Sequence, residues 1–290
     1  MYDYKLLEAL ALVVRENGFE KAANKLFITQ SAVSQRIKAL EELSGQILIT
    51  RISPPKPTSM GKKLIKHYYQ VKRLEDELQQ SDKSTSLSIG LNADSLATWF
   101  LPVIESFLKN ENTLIELKVD DQDRTGELLK NGEVAGCISS GDSVIQGCSK
   151  HYLGQMEYVL VSTPDFFSHW FQKGITIDSL EKAPAVIFNR KDLLHERYLN
   201  KHFEHVPDDY PIHYLPSSEK FLTMLLMGHA YGVVPMIQCR DYLENNRLIK
   251  IKKETITVPL FWNHWKIDTR QINTLTKILI ENSREFLIIS

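Results

Sequence analysis

No stretch of this 290-residue chain approaches the ~18 consecutive apolar residues of a membrane-spanning helix, although 43% of it is hydrophobic. The N-terminus, MYDYKLLEALALVVRENGF, sets acids and a lysine before its apolar positions and lacks a small-residue cleavage site. Neither secretion nor a membrane partner is expected. Cysteine is scarce: Cys137, Cys148 and Cys239 are odd in number and show no CxxC spacing. They suit small core positions in a reducing cytosol better than a disulfide framework or a structural zinc site. Catalytic signatures are missing as well, with no GxSxG, Walker A, HExxH or GxGxxG pattern, and the close pair His202 and His205 falls in no defined element. Gly228 and Gly232 read as backbone devices before Val233-Val234-Pro235 rather than as a phosphate loop. An enzyme, a metal site and a bound cofactor are therefore not expected. Polarity is too low for disorder, which leaves a cytoplasmic globular protein of two domains.

The net charge of −1 conceals a split. Between Glu20 and Lys66 nine basic residues meet only Glu20, Glu41 and Glu42, a net of +6 that leaves −7 for the remainder. Clustered cations neutralise phosphates, so a basic module on an acidic body suits a duplex-binding head with a separate second function. Charge alone does not separate this from an ordinary solvated surface.

The apolar spacing supplies the organisation. Leu6, Leu7, Leu10, Val13 and Val14 predict a helix over 3–16 that stops before Gly18. Ala22, Ala23 and Leu26 predict a second over 20–27, and Val33, Ile37 and Leu40 a third over 31–43. Two short helices joined by a turn of about three residues make a helix-turn-helix. A small strand pair from Ile47–Ile49 and Arg51–Ile52, with Ser53-Pro54-Pro55-Lys56-Pro57 in its loop, reads as a wing. Thr58 then caps a long helix to about Gln80, with an apolar stripe of Leu64, Ile65, Tyr68, Val71, Leu74 and Leu78. Residues 81–86 form a polar hinge, beyond which strands and helices alternate. That texture predicts a parallel α/β sheet in two lobes with a cleft between them. The expected division is a DNA-binding domain over 1–58, a linker and dimerisation helix with hinge over 59–86, and an effector-binding domain over 87–290.

The segment from Glu20 to Arg51 resembles the head of the LysR-type transcriptional regulators. It carries an alanine pair and a leucine in its second helix, then Gln-Ser-Ala-Val-Ser-Gln-Arg-Ile, then Leu-Glu, Gly and Arg at fixed offsets. Each element has a physical role: Ala22 and Ala23 allow close helix approach, while Val33, Ile37 and Leu40 anchor the recognition helix. Gln30, Ser31, Ser34, Gln35 and Lys38 remain for its outer face, where such side chains bond base edges and phosphates. Arg36 reads as a phosphate contact ahead of a structural pair. Arg51 fits a phosphate clamp or a salt bridge to Glu41 equally, and Lys56 lies in the wing. The resemblance extends along the chain, through Val14–Ala23, the wing Pro54–Thr58 and Asn92-Ala93-Asp94-Ser95-Leu96-Ala97-Thr98-Trp99, and is closest to the branch that answers to lysine and arginine. It departs from the general pattern at Glu133-Val134-Ala135-Gly136-Cys137, where an aspartate usual before the third sensor strand is absent.

The resemblance implies a winged helix-turn-helix and long linker helix, followed by a two-lobed α/β sensor like a periplasmic binding protein. It also implies double-stranded DNA and a small-molecule effector, lysine or arginine, as partners of a homodimer that can pair further into a tetramer. The alternative effector is a different small metabolite. A solute-binding protein of transport would share the sensor but not the helix-turn-helix. Within the cleft, Ser95 at a helix N-terminus suits a carboxylate. Asp94, Asp120, Asp121 and Asp123 can meet a cation, as can the cap formed by Ser217, Ser218 and Glu219. For each of these acids and caps a plain solvated turn or N-cap is the competing reading.

Overall fold

The computed structural model describes residues 2–50, 52–78, 85–121, 124–141, 143–207 and 209–289. Its head begins with α1 (Tyr4–Arg15), where the Asp3 side chain accepts from the Lys5 backbone N–H and Leu7, Leu10 and Val13 are buried. A turn through Asn17 and Gly18 leads to α2 (Phe19–Leu26), whose inward face is Ala22 and Ala23. Phe27 follows in the left-handed region at φ 55°, and α3 (Gln30–Ser44) starts with Thr29 Oγ1 accepting the Ala32 N–H at 3.2 Å. Gly45, at φ 66°, ends it, as a residue without Cβ can do at little cost.

The wing differs from the sequence expectation. Its strands are β1 (Ile49–Thr50) and β2 (Lys56–Pro57), paired antiparallel across the loop. Glu41 explains part of this arrangement, because its Oε1 accepts the Leu48 N–H at 2.9 Å and fixes the approach to β1. The linker helix α4 (Ser59–Leu78) is capped as expected, Thr58 Oγ1 accepting the Gly61 N–H at 3.2 Å. Its stripe divides in two. Leu64, Ile65 and Tyr68 close the core of the head, whereas Leu74 and Leu78 are 44% and 82% exposed.

The sensor opens with β3 (Thr85–Leu91), then α5 (Ala93–Ala97), α6 (Phe100–Val103) and α7 (Glu105–Asn110). The sequence from Ser95 to Lys109 reads as one helix, where the structure has three short ones. Pro102 has no N–H for a helical bond to Thr98, and the chain bends there while still burying Trp99, Phe100, Val103 and Phe107. Next come β4 (Thr113–Val119), α8 (Thr125–Lys130), β5 (Gly136–Ser139) and the 15-residue β6 (Cys148–Ser162). The second lobe adds α9 (Pro164–Trp170), α10 (Ile177–Lys182), β7 (Ala185–Ile187), α11 (Leu194–His202), β8 (Ile212–Tyr214), α12 (Ser218–Leu226), β9 (Gly232–Pro235) and α13 (Met236–Glu244). The chain ends with β10 (Ile249–Lys250), β11 (Ile256–Trp265) and α14 (Arg270–Asn282).

The main sheet runs β10-β6-β11-β5-β3-β4, with β9 also on β6, and it is mixed rather than wholly parallel. β3 pairs parallel with β4 and β5, while the long β6 and β11 pair antiparallel from Ile256↔Tyr158 to Trp265↔Cys148. These two strands carry the chain into the second lobe and back, so the lobes share one continuous hinge. β7 and β8 form a separate parallel pair. The linker helix touches the first lobe directly: Tyr69 packs near Leu129 and Trp265, and a Cβ at Gly132 would stand 2.6 Å from Lys66 Cα.

Candidate DNA-binding face and effector cleft

On α3 the buried Val33, Ile37 and Leu40 hold one side of the helix against the head. At about 100° per residue, Ser31, Ser34, Gln35 and Lys38 then share the opposite side. Gln30 flanks this row, and Arg36 lies round the helix from it, half-buried. Gln30 also borders a crevice whose other walls are Asn17 to Lys21 at the start of α2 and Ile52, Ser53 and Pro55 of the wing. Lys56 is exposed on β2. Arg51 lies outside the described residues. Lys38 stands 3.9 Å from Glu42 with both side chains exposed, a pair of little energetic weight that leaves the ammonium available. The head is thus a polar, cation-bearing helix face beside a short wing.

The sensor cleft lies where the ends of β3, β4, β7 and β9 meet, with Asn92, Asp94, Asp120, Asp121, Asp192 and Ser218 among its lining residues. Ligand-contacting loops of α/β sheets gather at such strand ends. Asp94 is the central group. Its Oδ1 accepts from Ser218 Oγ at 2.7 Å and its Oδ2 from Tyr158 OH at 3.0 Å, linking the first lobe, the second lobe and the hinge strand. A second bond across the cleft runs from Asn189 Nδ2 to Asp121 Oδ1 at 2.9 Å. Gln238 Nε2 supports the site by donating to the Ser218 carbonyl at 3.1 Å.

Burial raises the Asp94 carboxyl above the usual carboxylate range, and the Ser218 and Tyr158 hydroxyls offset only part of that. Asp192 is raised for the same reason, with smaller contributions from Asp94 and Asp121, although Leu194 N–H bonds its Oδ1 at 2.9 Å. Tyr158 is pushed well up by burial and by Asp94. The cations of the lining, Arg124, Lys191 and Arg197, are all exposed. Half-buried acids and exposed cations in one cleft give it complementary positions for the two charges of a zwitterion.

Of the effector residues proposed from sequence, Asp94, Asp120, Asp121 and Ser218 come together here. Ser95 is fully buried behind the lining, on a helix of only five residues. Ser217 caps α12 through the Lys220 N–H, and Glu219 faces solvent outside the cleft. Asp123 lies outside the described residues. Sequence reasoning missed Arg124, Lys191, Asp192 and Arg197, as well as Tyr158 and Gln238. The strand-end argument that selected Asp120 and Asp121 reaches Asp192 when applied after β7, whereas Tyr158 sits mid-strand and gave no signal.

Among the described residues there is no group of three or more His, Cys, Asp or Glu that could hold a metal, and no helix is long and apolar enough to cross a membrane. Burial pushes the thiols of Cys137 and Cys239 up to about 12, as for inert packing positions.

Comparison with known proteins agrees with both halves of the chain. Residues 4–62 match the bacterial regulatory helix-turn-helix protein, lysR family, and residues 80–266 match the LysR substrate binding domain. The HTH-type transcriptional regulator ArgP of Vibrio parahaemolyticus is 40% identical over 292 residues, 98% of each chain. The crystal structure of ArgP from Mycobacterium tuberculosis superposes with a TM-score of 0.88 at 32% identity, covering 100% of both chains. Full-length LysG from Corynebacterium glutamicum with bound effector Arg superposes with a TM-score of 0.80 at 27% identity, covering 99% of this chain and 100% of that one. With a helix-turn-helix head, a two-lobed sensor and relatives that are regulators rather than enzymes, the chain belongs to the LysR family of bacterial transcriptional regulators.

Proposed function

We propose that the cleft binds free lysine or arginine and that the ligand changes how a dimer of this chain sits on duplex DNA. The observation that carries this reading is the charge arrangement: half-buried carboxyls on Asp94 and Asp192 in one cleft with the exposed Arg124, Lys191 and Arg197. A basic amino acid brings two cations and one carboxylate. The acids supply partners for ammonium or guanidinium groups, without which a desolvated cation would cost several kcal/mol. Arginine as the bound effector of LysG supports the same choice. A ligand alters the regulator only by binding one lobe arrangement better than another, and the bonds Ser218–Asp94 and Asn189–Asp121 span the two sides that would move.

In this reading residues 1–58 bind DNA, 59–86 link and dimerise, and 87–290 sense the ligand in the cytoplasm. Gln30, Ser31, Ser34, Gln35, Arg36, Lys38, Arg51 and Lys56 contact the duplex. Two heads of one dimer, joined through the exposed end of α4, read half-sites spaced by helical turns, and sensor pairing extends the dimer to a tetramer. Calorimetry of the purified chain against all twenty amino acids tests the ligand. Heat with lysine or arginine supports it; heat confined to an acidic or neutral amino acid, or binding only of another acidic metabolite to the three cations, overturns it. Footprints on genomic DNA with and without each ligand test the effect on binding.

A further inference from the structure

We propose that ligand entry is a cation-for-proton exchange, in which the incoming ammonium or guanidinium displaces a proton held by the Asp94 carboxyl and releases it to solvent. This rests on the reading of the cleft as a basic amino-acid site. Asp94 lines the cleft, yet among the described residues both of its oxygens accept only from hydroxyls, those of Ser218 and Tyr158. Hydroxyl donors relieve desolvation but bring no positive charge, and none of the ion pairs among the described residues includes Asp94. Two residues earlier, Asn92 is 5% exposed and its Oδ1 is buried without a hydrogen-bond partner. An unsatisfied acceptor beside an uncompensated carboxyl is an arrangement completed by a donor that carries positive charge.

The groups facing Asp94 restrict what else can titrate. The loop after β4 brings Asp120, Asp121 and Arg124; β6 brings Tyr158; the segment from Phe188 into α11 brings Lys191, Asp192 and Arg197. α12 and α13 present Ser218 and Gln238, and β9 only apolar residues and Pro235. Among the described residues no histidine or cysteine lines the cleft. With no imidazole or thiol there, proton exchange at mildly acid pH falls to the carboxyls. Burial raises Asp94 and Asp192 above the usual carboxylate range, and Asp94 adds to the rise of Asp192. A bound cation pulls Asp94 back down. Affinity therefore rises with pH up to the free-cleft pKa, by up to roughly tenfold per unit, whereas a carboxylate of ordinary pKa would level it off at about pH 4.

The test is calorimetric titration of the full chain with lysine and with arginine in steps from about pH 4 to 7, each in two buffers of different ionisation enthalpy. The expected result is tighter binding at higher pH with net proton release, both lost or strongly reduced in Asp94→Asn and only partly reduced in Asp192→Asn. Where Asp94→Asn no longer binds, the ligand-free proteins supply a second measurement. A carboxyl raised by folding stabilises the native state at low pH and ceases to do so as pH rises through its folded value. Wild type should thus lose melting temperature relative to Asp94→Asn as pH rises from about 4 through the folded value. Binding with flat affinity and no proton release overturns the exchange while leaving the ligand reading intact. Failure of both ligands to bind at any pH overturns the ligand reading and the exchange with it.

Discussion

Gly136 lies flat against the indole of Trp262: a Cβ at position 136 would stand 2.1 Å from Cη2. The ring cannot retreat, since Trp262 is fully buried and its Nε1 donates to Thr276 Oγ1 at 2.9 Å. Gly136→Ala is expected to cost about 1–3 kcal/mol, the range for overpacking a filled core. Urea unfolding of the variant checks it. An unchanged midpoint would mean that β5 and β11 have slack the structure does not show.

On the head, Gln35→Ala with Lys38→Ala should weaken duplex binding and flatten its salt dependence by roughly one unit of slope for the lost lysine contact. Stability should move by less than about 0.5 kcal/mol, because the Lys38–Glu42 pair is exposed on both sides. Titration of labelled duplex at two salt concentrations, with a melting curve for each protein, separates the two effects. Undiminished affinity would show that the groove meets another face.

His195 gives a pH dependence of stability. Its ring is buried between Tyr210 and Tyr231 with neither nitrogen bonded, and burial lowers its pKa to about 4. Below its unfolded value of about 6.5 the unfolded chain takes up a proton that the folded chain refuses, so stability falls as pH drops from about 6.5 to 4. The loss is on the order of 3 kcal/mol when complete. His195→Phe keeps the stacking and removes the titration, and its unfolding free energy should fall less steeply over that window. Parallel pH profiles would refute the assignment.

The exposed Leu74 and Leu78 lead to a prediction about assembly. Replacing both with glutamate should convert the proposed dimer to a monomer in sedimentation and reduce DNA affinity at least about tenfold, since one head then binds without the other. A dimer that survives both changes would place the contact elsewhere.

How much of this was legible in the sequence depends on the distance between partners. The head could be read because its helices are short, periodic and adjacent, so that Val33, Ile37 and Leu40 declare their shared face within eight residues. The β6–β11 pairing joins positions about a hundred residues apart, and no local pattern announces it. Leu64 shows a different limit. An apolar stripe states that something must cover it but not what, and the cover turned out to be the head's own core. In the cleft, acids after β4 followed from strand-end logic, while Tyr158 became visible only once Asp94 was seen to reach it.

The crossing of β6 and β11 has an evolutionary consequence. Because the second lobe is entered and left on neighbouring strands, with Gly154 directly opposite Leu260, its two chain ends meet side by side. The segment between them is topologically an insertion, exchangeable as a cassette without rerouting the first lobe. A family built this way can change half of its ligand contacts in one recombination event while inheriting the other half, together with the head, intact.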